Sequence, residues 1–403
     1  MSATNTPVTA DDLRRWTGQS RIPGDPPDLT DDACLLIASG RLDPAGRALI
    51  VRRLSAGYPL PRLSHSYPDL RRLQHAILHI EYQLGSDYLP GVVAAVLRTR
   101  LSGMHRRRED ARRTVVGGKG VFATGTRGIR RERRENLYLD VDDRERLFTA
   151  LLATPVADLP AGGSARRAGS AAIDRVATLV GQVAGRGAAR SVQEWADEAL
   201  GAPSPGSAPK GGEAFLDGYE TLTFLAGHFY DRIVGNSAWR SDFFEVQRTQ
   251  VNLHGELADT AADIAALRGL RVDLDRVRAS GGFDAALAEQ IDRREQALRP
   301  VWSELIGRVE AFAEMAATVE AAGTELRILD EFDRTATIDS RIEDLLSRSG
   351  NRELSQDNTR RLSQQVRAGH EQLKIYRDVL SGNISRIAAA EPMRELPERY
   401  EPQ

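Results

Sequence analysis

The sequence predicts a mainly α-helical protein, in which a compact N-terminal helical unit with a small β-hairpin precedes a C-terminal bundle of long helices with antiparallel coiled-coil character. Three observations lead to this prediction. Apolar residues recur at helical spacing along most of the 403 residues, and proline and glycine separate the periodic segments. A heptad pattern sustained over about four repeats near the middle of the C-terminal half indicates helices that pack lengthwise.

The heptad pattern forms one seam on one predicted helix. Its apolar positions alternate at spacings of three and four residues and include Leu298, Trp302, Leu305, Val309, Phe312, Val319 and Leu326. Two other stretches have similar spacing and could cover this seam, one from Leu253 to Val277 and one from Leu362 to Ile387. The sequence leaves open whether the seam is covered within the chain or by a second chain.

Composition limits the possible functions. Hydrophobic residues make up 41% and charged residues 28% of the chain, and 55 basic against 57 acidic side chains give a net charge of -2. A protein with this balance does not bind polyanions through its overall charge, so only a local basic patch could do so. The length allows two or three domains, each with its own core.

The cysteine count and the apolar runs predict a cytoplasmic protein. The single cysteine, Cys34, excludes an internal disulfide framework, and its apolar neighbours predict a buried thiol. The first ten residues lack the basic and apolar regions of a signal peptide. No uninterrupted apolar run reaches about eighteen residues, so we expect no membrane span.

Changes in composition divide the chain into six predicted segments. These are a flexible N-terminus (1–28), a helical domain with a basic β-hairpin arm (29–154), connecting helices (155–200), a proline- and glycine-rich linker (201–212), a helical bundle (213–390) and a flexible tail (391–403).

Start signals place the helices of the first hundred residues. Thr30 is a predicted N-cap for a helix over 31–38, and proline near the first helical position marks the starts of two more, at Asp43-Pro44 and Tyr67-Pro68. A short helix is predicted over 11–16, and another from Pro90 to about Ser102. Short connections between these helices indicate antiparallel neighbours.

The composition becomes strongly basic after Gly103. The candidate nucleic-acid contacts in this segment are Arg106, Arg107, Arg108, Arg112, Arg113, Lys119, Arg127, Arg130, Arg131, Arg133 and Arg134. β-Favouring residues on both sides of Gly117-Gly-Lys-Gly120 predict a hairpin over 114–123. A further short strand is predicted over 137–141, followed by a helix over 144–153 that Asp142 caps.

The basic segment has two interpretations. Arginines on an exposed arm could neutralise nucleic-acid phosphates and release counterions. Alternatively, the interspersed Glu109, Asp110, Glu132 and Glu135 pair with these arginines on a solvated face.

After the linker, the sequence predicts helices almost to the end of the chain. One helix carries the apolar face from Phe215 to Ile233, and a second runs from Ala238 to Ala279. A third opens at Asp284, with a kink or restart at Pro300. Shorter helices are predicted over 338–348 and 356–389.

Other potential sites have simpler explanations. His75 and His79 stand at metal-binding spacing, but no third ligand is evident, so we expect a polar helix face and no metal. Gly117–Gly120 fits neither the phosphate-loop nor the dinucleotide pattern, because neighbouring glycine and hydroxyl positions are occupied by other residues. Asp140, Asp142 and Asp143 precede a predicted helix, where carboxylates are favourable without any metal. No Gly-x-Ser-x-Gly, His-Glu-x-x-His or Cys-His signature is present, and we expect no cofactor.

Two functions therefore follow from the sequence. The first is a non-enzymatic structural, adaptor or assembly protein, whose long helices present packing surfaces to a protein partner or to a second copy of the chain. The alternative is a nucleic-acid-associated protein that uses the arginine-rich arm at 105–134. An enzyme with scattered active-site residues would leave no short motif, so that class stays open.

Overall fold

A computed structural model describes residues 8–85, 91–157, 213–280 and 285–348. The described residues form twelve α-helices and one two-stranded antiparallel pair, which confirms the mainly α-helical prediction. The elements are α1 (Ala10–Gln19), β1 (Arg21–Ile22), α2 (Asp31–Ser39), α3 (Pro44–Ser55), α4 (Tyr67–Leu84), α5 (Gly91–Gly117), α6 (Thr126–Arg134), α7 (Val141–Leu151), β2 (Glu213–Ala214), α8 (Gly218–Gly235), α9 (Ser237–Arg240), α10 (Glu245–Gln250), α11 (Leu253–Ser280) and α12 (Ala285–Arg348).

Local capping explains where the early helices begin. The Thr30 hydroxyl accepts a hydrogen bond from the Ala33 amide, and the Asp43 carboxylate accepts one from the Gly46 amide. Ser66 caps α4 in the same way. These contacts satisfy amides that have no partner inside the helix. The predicted starts of α2, α3 and α4 are therefore confirmed.

The predicted β-hairpin over 114–123 is wrong. Helix α5 continues through Val115 and Val116 to Gly117, fifteen residues past the predicted end at Ser102, and a turn leads from Gly118 into the unpredicted helix α6. Val115 is fully buried, and α5 packs against both α4 and α7. This tertiary packing overrides the β preference of the two valines.

The predictions for the segment before α7 also need correction. Residues 137–140 are not assigned to a strand, and α7 begins at Val141 with Asp140 in the N-cap position. Asp142 is therefore inside the first turn and is not the cap. The Asp140 side chain makes no capping bond because it pairs with Arg133 instead.

The helix predicted over 238–279 is divided in the structure. A short α9, a 3-10 turn and α10 precede α11, which starts at Leu253. Helix α12 is continuous from Ala285 through Pro300 to Arg348, so the chain does not restart at the proline and does not form a separate helix over 338–348. At 1.5 Å per residue its 64 residues extend about 96 Å.

One compact unit contains the described residues of 14–228 and 257–280. Helix α4 packs on α5, α2 packs on α3 and α7, and the strands β1 and β2 pair with Arg21 opposite Ala214. Cys34 is buried as predicted. The backbone of α11 approaches Gly40 so closely that a Cβ there would lie 2.7 Å from the Ala262 nitrogen. Only glycine permits this contact between the end of α2 and α11.

A second compact unit contains the described residues of 8–13, 229–256 and 285–348. Here α9 packs on α12, and Arg232 makes a bidentate pair with Glu320, with both N–O distances 2.7 Å. The Tyr230 hydroxyl lies 2.8 Å from His254 Nδ1. The centre of α12 is buried, including Leu305, Val309, Phe312 and Val319 of the predicted seam.

Several predicted elements lie outside the described residues. They are the connecting helices at 170–184 and 192–200, the linker at 201–212, the helix at 356–389, the tail at 391–403 and the first seven residues of the N-terminal segment. The rest of the segment predicted over 1–28 is described and includes α1 and β1. In the part of the chain that is described, no helix combines the length and apolar character needed to cross a bilayer.

Candidate nucleic-acid interface

A glycine turn joins the basic end of α5 to α6. Gly118 has a φ of +51°, and its carbonyl accepts hydrogen bonds from the Val121 and Phe122 amides. A Cβ on Gly118 would collide with the Phe122 ring. The glycine therefore supplies both the left-handed backbone and the space that lets this ring fold back under the turn.

Two buried arginines contact the Phe122 ring. The guanidinium carbon of Arg144 lies 3.9 Å from the ring centroid and that of Arg53 lies 4.7 Å from it. Phe122 is 3% exposed, Arg53 is 1% exposed and Arg144 is 5% exposed. Cation–π contacts shielded from water contribute about 2 kcal/mol each. This Arg53–Phe122–Arg144 stack fastens the turn to the body of the first unit.

Backbone carbonyls accept hydrogen bonds from both guanidinium groups of the stack, although Arg144 Nη2 is buried without a hydrogen-bond partner. Arg53 donates to the carbonyls of Pro59, Val121 and Leu137, and Arg144 donates to those of Val116 and Leu139. Burial lowers the pKa of Arg53 from its ordinary value, while the nearby Glu132 carboxylate acts in the opposite direction. The stack therefore connects α3, the turn before α6, the 137–139 segment and α7.

Glu132 connects α6 to the same stack. Its carboxylate accepts from the Ala123 amide, at 3.2 and 3.3 Å, and lies 3.8 Å from Arg53 Nη1. On a neighbouring part of α6, Arg133 pairs with Asp140 at 2.9 Å and stacks on Tyr138. These contacts decide which side of α6 faces the protein.

The opposite side of α6 carries four arginines at positions i, i+3, i+4 and i+7. Arg127, Arg130, Arg131 and Arg134 are all exposed, and none of them pairs with a carboxylate among the described residues. We call these four residues the α6 arginine face. Like charges at this spacing destabilise a helix by about 0.2–0.5 kcal/mol per pair, and an isolated nine-residue helix is too short to be stable. The helical form of α6 therefore depends on Glu132 and the arginine–phenylalanine stack.

The arginines on α5 divide into two groups. Arg112 makes a bidentate pair with Glu145 and also contacts Glu109, and the hydrogen bonds that it donates to Glu145 raise its pKa. Arg113 pairs with Glu109 and Asp110, and Arg108 donates to Gln74. Pairing with carboxylates, one of the two interpretations of the basic segment, therefore applies to Arg112 and Arg113 but not to the α6 arginine face.

The remaining predicted contacts on α5 and in the turn are available to a ligand. Arg106, Arg107 and Lys119 are exposed and form no ion pair within the described chain. Together with the α6 arginine face, they make seven basic side chains whose charge is not neutralised by a neighbouring carboxylate.

The predicted helix-packing seam is more buried than the α6 arginine face. Its central residues Leu305, Val309, Phe312 and Val319 are at most 2% exposed. Leu298, Trp302 and Leu326, at its ends, are half-buried. The seam is therefore already covered over most of its length, and a partner could reach only its ends.

The other candidate sites do not assemble into a metal centre. His79 contacts Gln83, and burial together with Arg71 lowers the pKa of His75. Asp143 pairs with Arg146. Across the described parts of the chain, no three His, Cys, Asp or Glu side chains converge in a way that could hold a metal ion.

The sequence interpretation missed the residues that position the interface, namely Arg53, Phe122, Glu132 and Arg144. One signal was present, because Arg144 occupies the first position of the stripe that continues through Leu147, Phe148 and Leu151. A charged residue in an apolar stripe indicates a buried charge with specific partners. Comparison with family models, curated proteins and solved structures finds no match for this chain.

Proposed function

We propose that this protein binds nucleic acid through the α6 arginine face, with contacts to backbone phosphates and not to particular bases. The single observation that carries the proposal is a row of four exposed, unneutralised guanidinium groups on a helix that the protein holds from its opposite side. Guanidinium groups bind phosphate in a bidentate manner, and such contacts supply most of non-specific affinity.

The dimensions of the face support this proposal. Arg127 and Arg134 are seven residues apart, which corresponds to about 10.5 Å along the helix. This length is close to the rise of about three nucleotides along one strand. The face can therefore contact successive phosphates of one strand while α6 lies along a groove of a duplex.

The fold also supports an interface that is organised before binding. Flexible arginines lose side-chain and backbone entropy when they bind, and this loss lowers affinity. Here Glu132 and the arginine–phenylalanine stack order the helix in the free protein. Because the net charge of the whole chain is -2, the attraction is confined to this local surface.

A salt series tests the proposal. Fluorescence anisotropy with a labelled 20-base-pair DNA duplex, and with an RNA duplex of the same length, will give an affinity that falls linearly with salt on logarithmic axes. The expected slope for DNA lies between about -3.6, if only the α6 arginine face contacts phosphate, and about -6.3, if all seven free basic residues do. No binding to either duplex at about 20 mM salt would contradict the proposal, as would a slope near zero.

A second candidate function is self-association through the exposed end of α11. Leu270 and Val277 are 53% and 41% exposed, and with the half-buried Leu274 between them they form a stripe at positions i, i+4 and i+7. A stripe of this spacing fits the same stripe on a second copy of the chain. This candidate corresponds to the assembly function, but it uses a different surface from the central seam of α12.

Sedimentation velocity tests the second candidate. The full chain should sediment as a dimer at micromolar concentration, and Leu270→Glu with Val277→Glu should shift it to monomer because both charges would be buried in the interface. Val246→Glu is a matched control, since Val246 is 62% exposed on α10. This candidate would be ruled out if the wild-type chain stayed monomeric up to about 100 µM, because only weak association would escape detection at that concentration.

A further inference from the structure

A small cleft in the first unit lies where α2, α7, α8 and α11 meet. Five alanines leave space in its wall, and the polar residues that line it are Arg41, Thr154, Tyr219, Glu220, Thr223 and Arg268. Its volume is about 30 Å³. That is room for about one water-sized group, with the rest of any ligand outside the mouth.

Positive charge is in excess around this cleft. Arg268 pairs with Asp217 at 2.7 Å, and Arg71, which does not line the cleft, contacts Glu220 of its wall at 3.5 Å. Arg41 at the mouth has no carboxylate partner among the described residues. Three guanidinium groups therefore lie near two carboxylates, which leaves one positive charge without a counterion.

The polar groups around Arg71 are also incompletely paired. Arg71 is 9% exposed, and its Nε has no hydrogen-bond acceptor. Its Nη1 donates to the Leu152 carbonyl, while Glu220 accepts a short bond from the Leu216 amide. One carboxylate oxygen of Glu220 therefore accepts from a backbone amide, and the other lies at the long distance of 3.5 Å from the Arg71 guanidinium. Glu220 neutralises Arg71 poorly as a result.

The excess positive charge around the cleft affects the pKa of Arg41. Its side chain is in contact with solvent, but the surrounding protein partly shields the guanidinium from water. This partial burial lowers its pKa. The positive charges of Arg268 and Arg71 lower the pKa further, and only Glu220 opposes them. An anion at the mouth would therefore replace a repulsion between guanidinium groups with attraction.

We propose that this cleft binds an oxyanion group, a phosphate or a carboxylate, which inserts one oxygen between Arg41 and Arg268. Both groups present oxygens that match the donors of a guanidinium. The size of the cleft admits the charged end of a ligand and leaves its remainder in solvent. The site is separate from the α6 arginine face in sequence and in its residues.

The proposal can be tested by calorimetric titration and by thermal unfolding of the full chain. Each is carried out with inorganic phosphate, acetate or chloride at equal ionic strength. Phosphate, acetate or both should raise the melting temperature until it reaches a plateau with increasing concentration. The anion that has this effect identifies the oxyanion that the cleft binds. Arg41→Gln should weaken that binding by about tenfold or more, the loss expected for one charge-assisted hydrogen bond. Without ligand, the same variant should melt no lower than wild type, because it removes an unpaired charge from beside two others.

Two controls make the outcome specific to the cleft. Arg293→Gln removes an exposed arginine of α12 and should leave the shift unchanged. The variant lacking all four arginines of the α6 face should also keep the shift. The proposal is overturned if no oxyanion exceeds chloride, if Arg41→Gln retains the full shift, or if the α6 variant loses it. Loss of nucleic-acid binding alone would leave this proposal standing.

Discussion

Replacing Arg127, Arg130, Arg131 and Arg134 together with glutamine will reduce affinity for duplex DNA on the order of 100-fold at low salt. The salt slope will become shallower by about 3.6, because each phosphate contact accounts for about 0.9 of the slope. Glutamine keeps helix propensity similar to that of arginine, and the change removes repulsion between like charges. The variant should therefore fold at least as well as wild type, as measured by circular dichroism and thermal unfolding.

A matched variant controls for overall charge. Arg98, Arg100, Arg293 and Arg294 are exposed and form no ion pair within the described residues. Replacing these four with glutamine changes the net charge by the same amount and should leave DNA affinity within about twofold, since none of them is among the proposed phosphate contacts. Equal losses in both variants would mean that binding follows overall charge and not the α6 arginine face.

Phe122→Ala will lower the free energy of unfolding by about 3–5 kcal/mol, as expected for removing a buried phenylalanine. The substitution leaves a cavity in place of the ring and removes the cation–π contacts of two buried guanidinium groups, those of Arg53 and Arg144. Chemical denaturation monitored by circular dichroism will measure this loss. Phe122→Leu keeps much of the apolar volume but not the ring, so it should cost less than alanine and at least about 2 kcal/mol, the value of one cation–π contact shielded from water.

The same substitution has a consequence for binding. Phe122→Ala leaves every arginine in place but loosens the turn that orders α6, so DNA affinity should fall with no change in charge. Phe243→Ala is the control, because Phe243 is only half-buried and belongs to the second unit. Unchanged stability and affinity in Phe122→Ala would mean that the stack does not position the interface.

Local sequence signals predicted the elements whose determinants lie within a few residues. The caps at Thr30 and Asp43 and the proline in the first turn of α4 are examples, since each satisfies or removes an amide of the same helix. The valines at 115 and 116 are the opposite case. Their β preference is weak compared with burial against α7, which is formed by residues about thirty positions later.

In the candidate interface, too, the sequence predicted some features and only the tertiary structure showed the others. The sequence identified all eleven basic residues of the segment, but it could not separate those that pair with carboxylates from those that do not. Arg112 is neutralised by Glu145, which is 33 residues away, whereas Arg131 has no carboxylate partner in the described chain. Sequence neighbours such as Glu132 even suggested the wrong pairing, because Glu132 turns inward to Ala123 and Arg53.

The amino-acid sequence by itself determined that this protein is mainly helical, where its capped helices start, and that any attraction for polyanions must be local. These properties depend on side-chain type and on spacing along the chain. Only the tertiary structure decided that α6 exists, which side of it faces solvent, and that the centre of the α12 seam is covered. Burial and ion pairing depend on distances in space, and residues remote in sequence set those distances.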